Sequence, residues 1–281
     1  MSQTKNIITD ILKCPVCSED MYVSETGKSL YCRGARRHCF DFSSDGYVNL
    51  SGRPSGDSRE AVNARRNFLS KDYYLPLADK ICGIVKKYAP DGIVVDAGCG
   101  EGYYTNKISE FSSAALGFDL SKFGVAAASK SAKRGGLCNT FYATASVFEL
   151  PVRSGSCDCV VNIFAPCAAE EYSRILKDGG VLVVVGAGKA HLMGLKEAIY
   201  EHTYENSDRA DLPTMSPCEQ INLCYDIEVE GRENIQSLFS MTPYYWRTSE
   251  SDREKLSEMD MLKTRVEFEI YIYKKDAKGL I

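Results

Sequence analysis

The sequence predicts an α/β fold in which helices cover a mostly parallel sheet, with a small metal-binding module at the N-terminus. After residue 90, short and nearly continuous apolar runs alternate with helical patterns, as in a parallel sheet buried on both faces. A glycine-rich loop follows the first apolar run, and four cysteines and one histidine cluster before residue 40. The 281 residues suffice for one domain of ~200 residues and a smaller one.

Composition and charge restrict the kind of protein. There is no run of about 18 apolar residues and no apolar signal-peptide core, so we expect a cytoplasmic protein with reduced thiols and no membrane contact. The net charge of −4 argues weakly against a general nucleic-acid binder. However, residues 1–75 carry 11 Lys and Arg against nine Asp and Glu, which leaves 23 against 29 in the remainder. Only the N-terminal part is basic.

The N-terminal cysteines have the spacing of a zinc site. Cys14 and Cys17 form a CxxC pair, Cys32 follows after 14 residues, and His38 and Cys39 come shortly afterwards. Two such pairs supply the four ligands that Zn²⁺ binds in a tetrahedron. The spacing predicts three ligands and leaves the fourth open between His38 and Cys39. A site with four protein ligands is closed and structural, whereas the alternative is a redox CxxC pair or unrelated thiols.

The segments that follow have clear local signals. Residues 51–60 are polar and rich in Gly, Pro and Ser, which is typical of a linker. Residues 60–88 have helical spacing, and Pro76 is expected to start the second of two helices. Apolar runs predict buried strands, and a strictly alternating run near the C-terminus predicts a half-exposed antiparallel edge strand. These runs are 93–96, 114–119, 159–164 and 181–185, and the alternating run is 266–273.

The glycine-rich loop at residues 96–102 reads Asp-Ala-Gly-Cys-Gly-Glu-Gly and joins a strand to a helix. This spacing differs from the GxGxxG of dinucleotide-binding folds, in which pyrophosphate meets a helix N-terminus. It favours S-adenosylmethionine, whose carboxylate and ammonium approach a glycine-rich backbone with acidic residues nearby. An acidic residue, Asp119, ends the next strand, where it could bind the ribose hydroxyls. We therefore predict cofactor contacts at Asp96, Gly98, Gly100, Glu101, Gly102 and Asp119.

The order of these motifs closely resembles the 23S rRNA (guanine-N1)-methyltransferases of the RlmA type. The similarity extends from about Cys14 to the C-terminus and includes the zinc ribbon, the glycine-rich loop and several short motifs. These motifs are Ala-Arg-Arg-Asn-Phe-Leu at 64–69, Ala-Pro-Cys at 165–167, His-Leu-Met at 191–193 and Met-Thr-Pro-Tyr-Tyr-Trp-Arg at 241–247. The resemblance implies a Rossmann-like class I S-adenosylmethionine-dependent methyltransferase domain with a small N-terminal zinc ribbon.

The resemblance also implies residue roles. It assigns the zinc to Cys14, Cys17, Cys32 and His38, with Cys39 as the spare ligand, and it places Tyr74 and His191 against the cofactor. It implies methyl transfer to N1 of a guanine in a 23S rRNA hairpin. Some members of the family contribute to macrolide resistance. Arginines would hold the RNA phosphates, although a solvated loop is the simpler interpretation of the first three. These arginines are Arg33, Arg36, Arg37, Arg65 and Arg66.

We divide the chain into a zinc-binding RNA-recognition module at 1–50, a linker and helical connector at 51–90, and a methyltransferase domain at 91–281. The sequence does not identify a general base. It also leaves the oligomeric state open, and a homodimer is one possibility. Two other functions stay open: a zinc-containing methyltransferase that acts on a protein or small molecule, and a non-catalytic RNA-binding protein that retains a cofactor pocket.

Overall fold

The computed structural model describes residues 9–52, 56–200, 215–245 and 248–276. The motif at 241–247 therefore lies partly outside the described residues. In the described part, a small antiparallel sheet at the N-terminus accompanies a large mixed sheet. The small sheet has the order β1-β2-β3, with β1 at Met21–Val23, β2 at Ser29–Cys32 and β3 at Cys39–Asp41.

The large sheet contains eight strands in the order β10-β11-β9-β8-β5-β6-β7-β4. The strands from β9 to β4 are parallel. At the other side of the sheet, β11 pairs antiparallel with β9, and β10 pairs antiparallel with β11. The bounds are β4 Val48–Asn49, β5 Ile93–Ala97, β6 Ala114–Asp119, β7 Thr140–Thr144, β8 Cys157–Ile163, β9 Leu176–Ala187, β10 Ser216–Glu230 and β11 Met261–Lys274.

Helices connect the strands and cover the sheet. Hydrophobic clusters on both faces share residues of the same strands, so the predicted buried parallel sheet is confirmed. The helices are α1 Arg59–Leu69, α2 Leu75–Tyr88, α3 Tyr103–Ile108, α4 Lys122–Arg134, α5 Ala169–Ile175, α6 Met193–Ile199, α7 Arg232–Ser240 and α8 Glu250–Ser257. Within the part of the chain that the structure describes, no helix is long and apolar enough to cross a membrane.

The strand order creates a crevice at the carboxyl ends of β5 and β8. The chain proceeds from β5 to β6 and β7 on one side, and then crosses to β8 and β9 on the other. Ligands bind at such a reversal in open α/β sheets, because the connections on either side diverge there. The glycine-rich loop after β5 therefore opens into this crevice.

The two connector helices begin where the sequence predicts. The Ser58 hydroxyl accepts a hydrogen bond from the Ala61 N–H and caps α1, while Pro76 lies in the first turn of α2. The buried face of α1 includes Val62 and Phe68, which directs other positions of this helix toward the crevice or solvent.

The prediction that residues 266–273 form an edge strand is wrong. The strand β11 lies between β9 and β10, and it pairs with β10 over nearly its full length. The strand β10 has its own alternation of apolar residues from Ile221 to Val229, which is the pattern of a second half-buried strand. Alternation reports one buried face of a strand, and it carries no information on whether the strand has a second neighbour.

The N-terminal module packs directly onto the large sheet. Leu12 forms a bridge to Val152, and β4 pairs with β7 in parallel. Leu12, Met21 and Leu30 are buried in the same cluster as residues of the large sheet. The predicted module boundary at residue 50 therefore falls directly after a strand of the large sheet.

Candidate functional site

A cavity of about 1080 Å³ lies at the carboxyl ends of the parallel strands. The predicted cofactor residues Tyr74, Asp96, Gly98, Gly100, Glu101, Asp119 and His191 all line it, and Gly102 ends the same glycine-rich loop. The loop after β7, from Ala145 to Phe148, forms another part of the wall. The structure thus brings together residues from five separate segments of the sequence.

Glycine is required in the loop by close packing as well as by backbone conformation. Gly98 has φ +89°, and a Cβ there would lie 2.4 Å from the Cβ of Ala165. This contact lets the strand β5 and the loop after β8 approach each other at the base of the cavity. The spacing of glycines in the motif therefore records a steric requirement of the site.

The amides of the loop are already used within the protein. The N–H groups of Gly98 and Cys99 both donate to the Phe118 carbonyl, at 2.8 and 3.0 Å. The Gly100 N–H donates to Oδ2 of Asp119 at 3.0 Å, and the Gly102 N–H donates to the Cys99 carbonyl. These bonds hold the loop against β6, so its backbone is preorganised and largely satisfied.

Buried carboxyl groups give the cavity its electrostatic character. Burial raises the pKa of both Asp96 and Glu101 to about 7, and it raises the pKa of Asp119. Glu101 Oε2 is buried without a hydrogen-bond partner, and so is the Tyr104 hydroxyl in the same wall. The ion-pair partner of Glu101 Oε2, Arg65 Nη1, lies 3.6 Å away, so this oxygen can still accept a hydrogen bond from a cationic ligand such as the ammonium of S-adenosylmethionine.

Arg65, which is predicted to hold an RNA phosphate, lies in the wall of the cavity. Its Nη2 pairs with Asp57, and its Nη1 lies 3.6 Å from Glu101 Oε2. A Cβ on Gly100 would lie 3.2 Å from Nη1, so the guanidinium sits directly over the glycine-rich loop. The structure therefore directs this arginine into the cavity, while Arg66 at the next position is exposed.

Tyr74 and His191 form a buried pair in the cavity wall. The Tyr74 hydroxyl lies 3.4 Å from Nε2 of His191, and Nδ1 accepts a hydrogen bond from the Glu267 N–H at 3.2 Å. Burial lowers the pKa of His191 to about 4, so the imidazole is neutral at pH 7. Because Nδ1 accepts, the proton resides on Nε2, which donates to Tyr74. His191 therefore positions Tyr74 and has no free nitrogen to act as a base.

The loop after β8 forms the outer side of the cavity. Phe164 has φ +53° and a 48% exposed side chain beside Ala165 and Pro166. Below it, fully buried Asn162 donates to the Ala97 and Pro166 carbonyls and supports the loop. Phe164 thus presents an aromatic surface at the cavity.

Two of the cavity residues that were missed in the sequence lie on β11. Glu269 and Tyr271 project from β11, and the Tyr271 hydroxyl donates to Glu269 Oε2 at 2.8 Å. Their approach depends on β11 pairing with β9, where Glu269 lies opposite Gly186. The alternating pattern gives their shared face, but it does not reveal the neighbouring strand.

The N-terminal cysteines and one histidine form a compact candidate metal centre. One potential ligand atom from each of Cys14, Cys17, Cys32 and His38 lies within 4.8 Å of the others. Their closest separations are 3.3–3.6 Å. Tetrahedral zinc with Zn–S and Zn–N bonds of about 2.3 and 2.0 Å requires edges of about 3.3–3.8 Å, so the residues fit the metal. Cys39 is exposed and instead lies 3.7 Å from Asp41 Oδ1.

The other arginines that are predicted to bind RNA lie beside this centre or on α1. Arg33, Arg36 and Arg37 belong to the loop between Cys32 and His38, and all three are exposed. The Arg33 guanidinium lies 4.9 Å from the centroid of the Tyr22 ring. Two of the candidate metal ligands, Cys32 and His38, therefore flank the arginine loop in the sequence.

Comparisons with known proteins agree with this arrangement. Residues 12–51 match the family described as RlmA, N-terminal, and residues 95–184 match a methyltransferase domain. YxjB of Bacillus subtilis (strain 168), grouped by name with the 23S rRNA (guanine-N(1)-)-methyltransferases, is 30% identical over 93% of this chain and 96% of YxjB. The 23S rRNA (guanine(748)-N(1))-methyltransferase of Streptomyces fradiae is 34% identical over 69% of each chain.

A solved structure described as "Conversion of a Disulfide Bond into a Thioacetal Group during Echinomycin Biosynthesis" supports the fold alone. Its TM-score is 0.50 at 14% identity, and the match covers 71% of this chain and 82% of that one. The methyltransferase domain takes S-adenosylmethionine as its methyl donor, and the ribbon with its Cys/His cluster holds zinc. The family predicted from the sequence motifs is confirmed by the relatives, and the chain belongs to the 23S rRNA (guanine-N1)-methyltransferases of the RlmA type.

Proposed function

We propose that this protein transfers a methyl group from S-adenosylmethionine to N1 of a guanine in a 23S rRNA hairpin. The observation that carries the proposal is the single cavity that joins a glycine-rich, acidic wall to the exposed aromatic surface of Phe164. A relative that aligns over almost its whole length is grouped by name with enzymes of this activity. One cavity therefore offers an acidic wall for the methyl donor and an aromatic surface for the target base.

The acidic wall fits the methyl donor. Asp119 ends β6 beside the loop and would bind the ribose hydroxyls, while Val147 and Phe148 would contact the adenine. Asp96 and Glu101 would face the positively charged part of the molecule, and Tyr74 and His191 would complete this wall. When bound, S-adenosylmethionine supplies an electrophilic methyl group on a sulfonium.

The aromatic surface fits an unpaired base. N1 of a paired guanine is buried within the helix, so the base must leave its stack before reaction. Phe164 offers a ring on which a base can stack, and Asn162 fixes the loop beneath it. The protein thereby orients N1 toward the transferable methyl group, at the ~3–3.5 Å that in-line transfer requires. Neutral His191 holds Tyr74 in place and leaves the N1 proton to another acceptor.

The N-terminal module fits the RNA backbone. We assign the zinc to Cys14, Cys17, Cys32 and His38, and Cys39 stays outside the site. Because Cys32 and His38 flank the arginine loop, the metal would hold Arg33, Arg36 and Arg37 in a fixed arrangement toward phosphates. Arg66 on the exposed side of α1 would extend this basic surface.

We accordingly propose residues 1–50 as the RNA-recognition module, 51–90 as the connector and 91–281 as the methyltransferase domain. A cytoplasmic site of action, a contribution to macrolide resistance and a homodimer belong to the same proposal. Drug susceptibility of a gene-deletion strain and sedimentation of the purified protein test the last two.

The experiment that tests the proposed function is methyl incorporation from labelled S-adenosylmethionine into purified 23S rRNA. We expect label in RNA that is lost after ribonuclease treatment and retained after protease treatment. Label in a protein or small molecule would instead support the alternative methyltransferase. RNA binding without any incorporation would support the non-catalytic alternative.

A further inference from the structure

The charged residues around the cavity suit the ammonium of S-adenosylmethionine better than its carboxylate. Among the described residues that line it, Arg65 is the one permanent cation, since His191 is neutral. Acidic residues are numerous by comparison: Asp57, Asp96, Glu101, Asp119 and Glu269. The amino-acid part of S-adenosylmethionine carries both an ammonium and a carboxylate. The acidic residues suit the first group, but they repel the second.

The glycine-rich loop offers little to a carboxylate. The N–H groups of Gly98, Cys99, Gly100 and Gly102 already donate to protein oxygens. One of these acceptors is the Asp119 carboxylate, which adds negative charge directly beside the loop. A carboxylate that competed for these amides would have to break bonds that hold the loop to β6.

Arg65 is held where this negative group needs a partner. Its guanidinium lies over Gly100, between Asp57 on one side and Glu101 on the other. The Arg65 side chain is 28% exposed and the Glu101 side chain only 4%, so the pair borders the cavity with its cationic member more accessible. Glu101 Oε2 forms an ion pair with Arg65 Nη1 at 3.6 Å but receives no hydrogen bond, so it can still accept one from an ammonium beside the guanidinium.

We propose that Arg65 binds the carboxylate of the methyl donor, while Glu101 beside it accepts the ammonium. This inference rests on the proposed function, because it names the contacts of the same cofactor. A guanidinium is suited to the role, since it stays charged and can donate two parallel hydrogen bonds to a carboxylate. Asp57 and Glu101 orient it from either side. Arg65 thus serves the cofactor site, whereas its neighbour Arg66 faces solvent.

Binding of two ligands by the full-length zinc-loaded protein tests the proposal. The ligands are S-adenosylmethionine and decarboxylated S-adenosylmethionine, which differ only in the carboxylate, and isothermal calorimetry gives both dissociation constants. We expect the unaltered protein to prefer the carboxylate-bearing ligand by about tenfold to a hundredfold. The Arg65→Gln variant should lose this preference, because its affinity for S-adenosylmethionine should fall while its affinity for the decarboxylated ligand stays the same. Arg59→Gln, which removes an exposed charge from the same helix, should keep it.

Several outcomes would overturn the inference. They are an unchanged preference in Arg65→Gln, an equal loss of affinity for both ligands, and no preference in the unaltered protein. If Arg65→Gln does not fold, Arg65→Lys keeps the charge without the bidentate geometry and should show a reduced preference; an unchanged one contradicts the proposal. The proposed function fails separately, if the unaltered protein binds neither ligand or methylates no RNA.

Discussion

Replacement of Gly98 by alanine tests whether loop packing shapes the cofactor wall. The new Cβ would lie 2.4 Å from the Ala165 Cβ, so one backbone segment must move. Overpacking typically costs about 1–3 kcal/mol, and a non-glycine residue in the left-handed region costs about 1–2 kcal/mol. We therefore expect Gly98→Ala to lower the free energy of unfolding by about 2–5 kcal/mol in urea titrations of the zinc-loaded protein.

Gly136 provides the matched control for this experiment. It has φ +69°, and a Cβ there would meet nothing within 4 Å. Gly136→Ala should therefore lose only the conformational contribution of about 1–2 kcal/mol and retain affinity for S-adenosylmethionine. An equal or smaller loss in Gly98→Ala than in Gly136→Ala would refute the claim that the contact with Ala165 requires glycine.

Three further perturbations test other parts of the structure. His38→Ala should abolish stoichiometric zinc, whereas Cys39→Ala should retain one zinc per chain by atomic absorption; the opposite pattern would exchange the two residues as ligands. Asp96 has a pKa raised from 3.8 to about 7 by burial, so the folded state binds its proton more tightly and the contribution of Asp96 to cofactor-free stability should fall as pH rises from about 4 to 7. Asp96→Asn should flatten that decline, and an unchanged pH profile in urea titrations would contradict this cause. Arg36→Gln with Arg37→Gln should weaken RNA binding and reduce the slope of log affinity against log salt by about 1–2, with no change expected in S-adenosylmethionine affinity; an unchanged slope counts against phosphate contacts.

The sequence predicts the central sheet and the metal centre well, because both depend on local patterns. The parallel strands are buried on both faces and appear as continuous apolar runs, of which 159–164 is an example. The paired cysteine spacing similarly restricts where the ligands can lie. Spacing alone leaves the choice between His38 and Cys39 open. The family resemblance selects His38, and the coordinates place His38 with the three cysteines, since adjacent residues of an extended segment point in opposite directions.

The roles of individual charged residues are harder to predict. Arg65 and Arg66 look equivalent in the sequence, but one turns into the cavity and the other faces solvent. Adjacent residues on a helix lie about 100° apart, so their environments depend on how the helix packs. The loop amides present the same difficulty, because the motif suggests a ligand site while the structure shows Phe118 and Asp119 as their acceptors.

The central claim is methylation of guanine N1 in 23S rRNA, and nucleoside mass spectrometry of that RNA tests it most directly. The RNA should come from a strain lacking the gene, before and after incubation with the purified protein and S-adenosylmethionine. We predict one additional 1-methylguanosine per molecule, confined to a single hairpin by fragment mapping. No gain of 1-methylguanosine, or a gain of a different methylated nucleoside, would contradict the account.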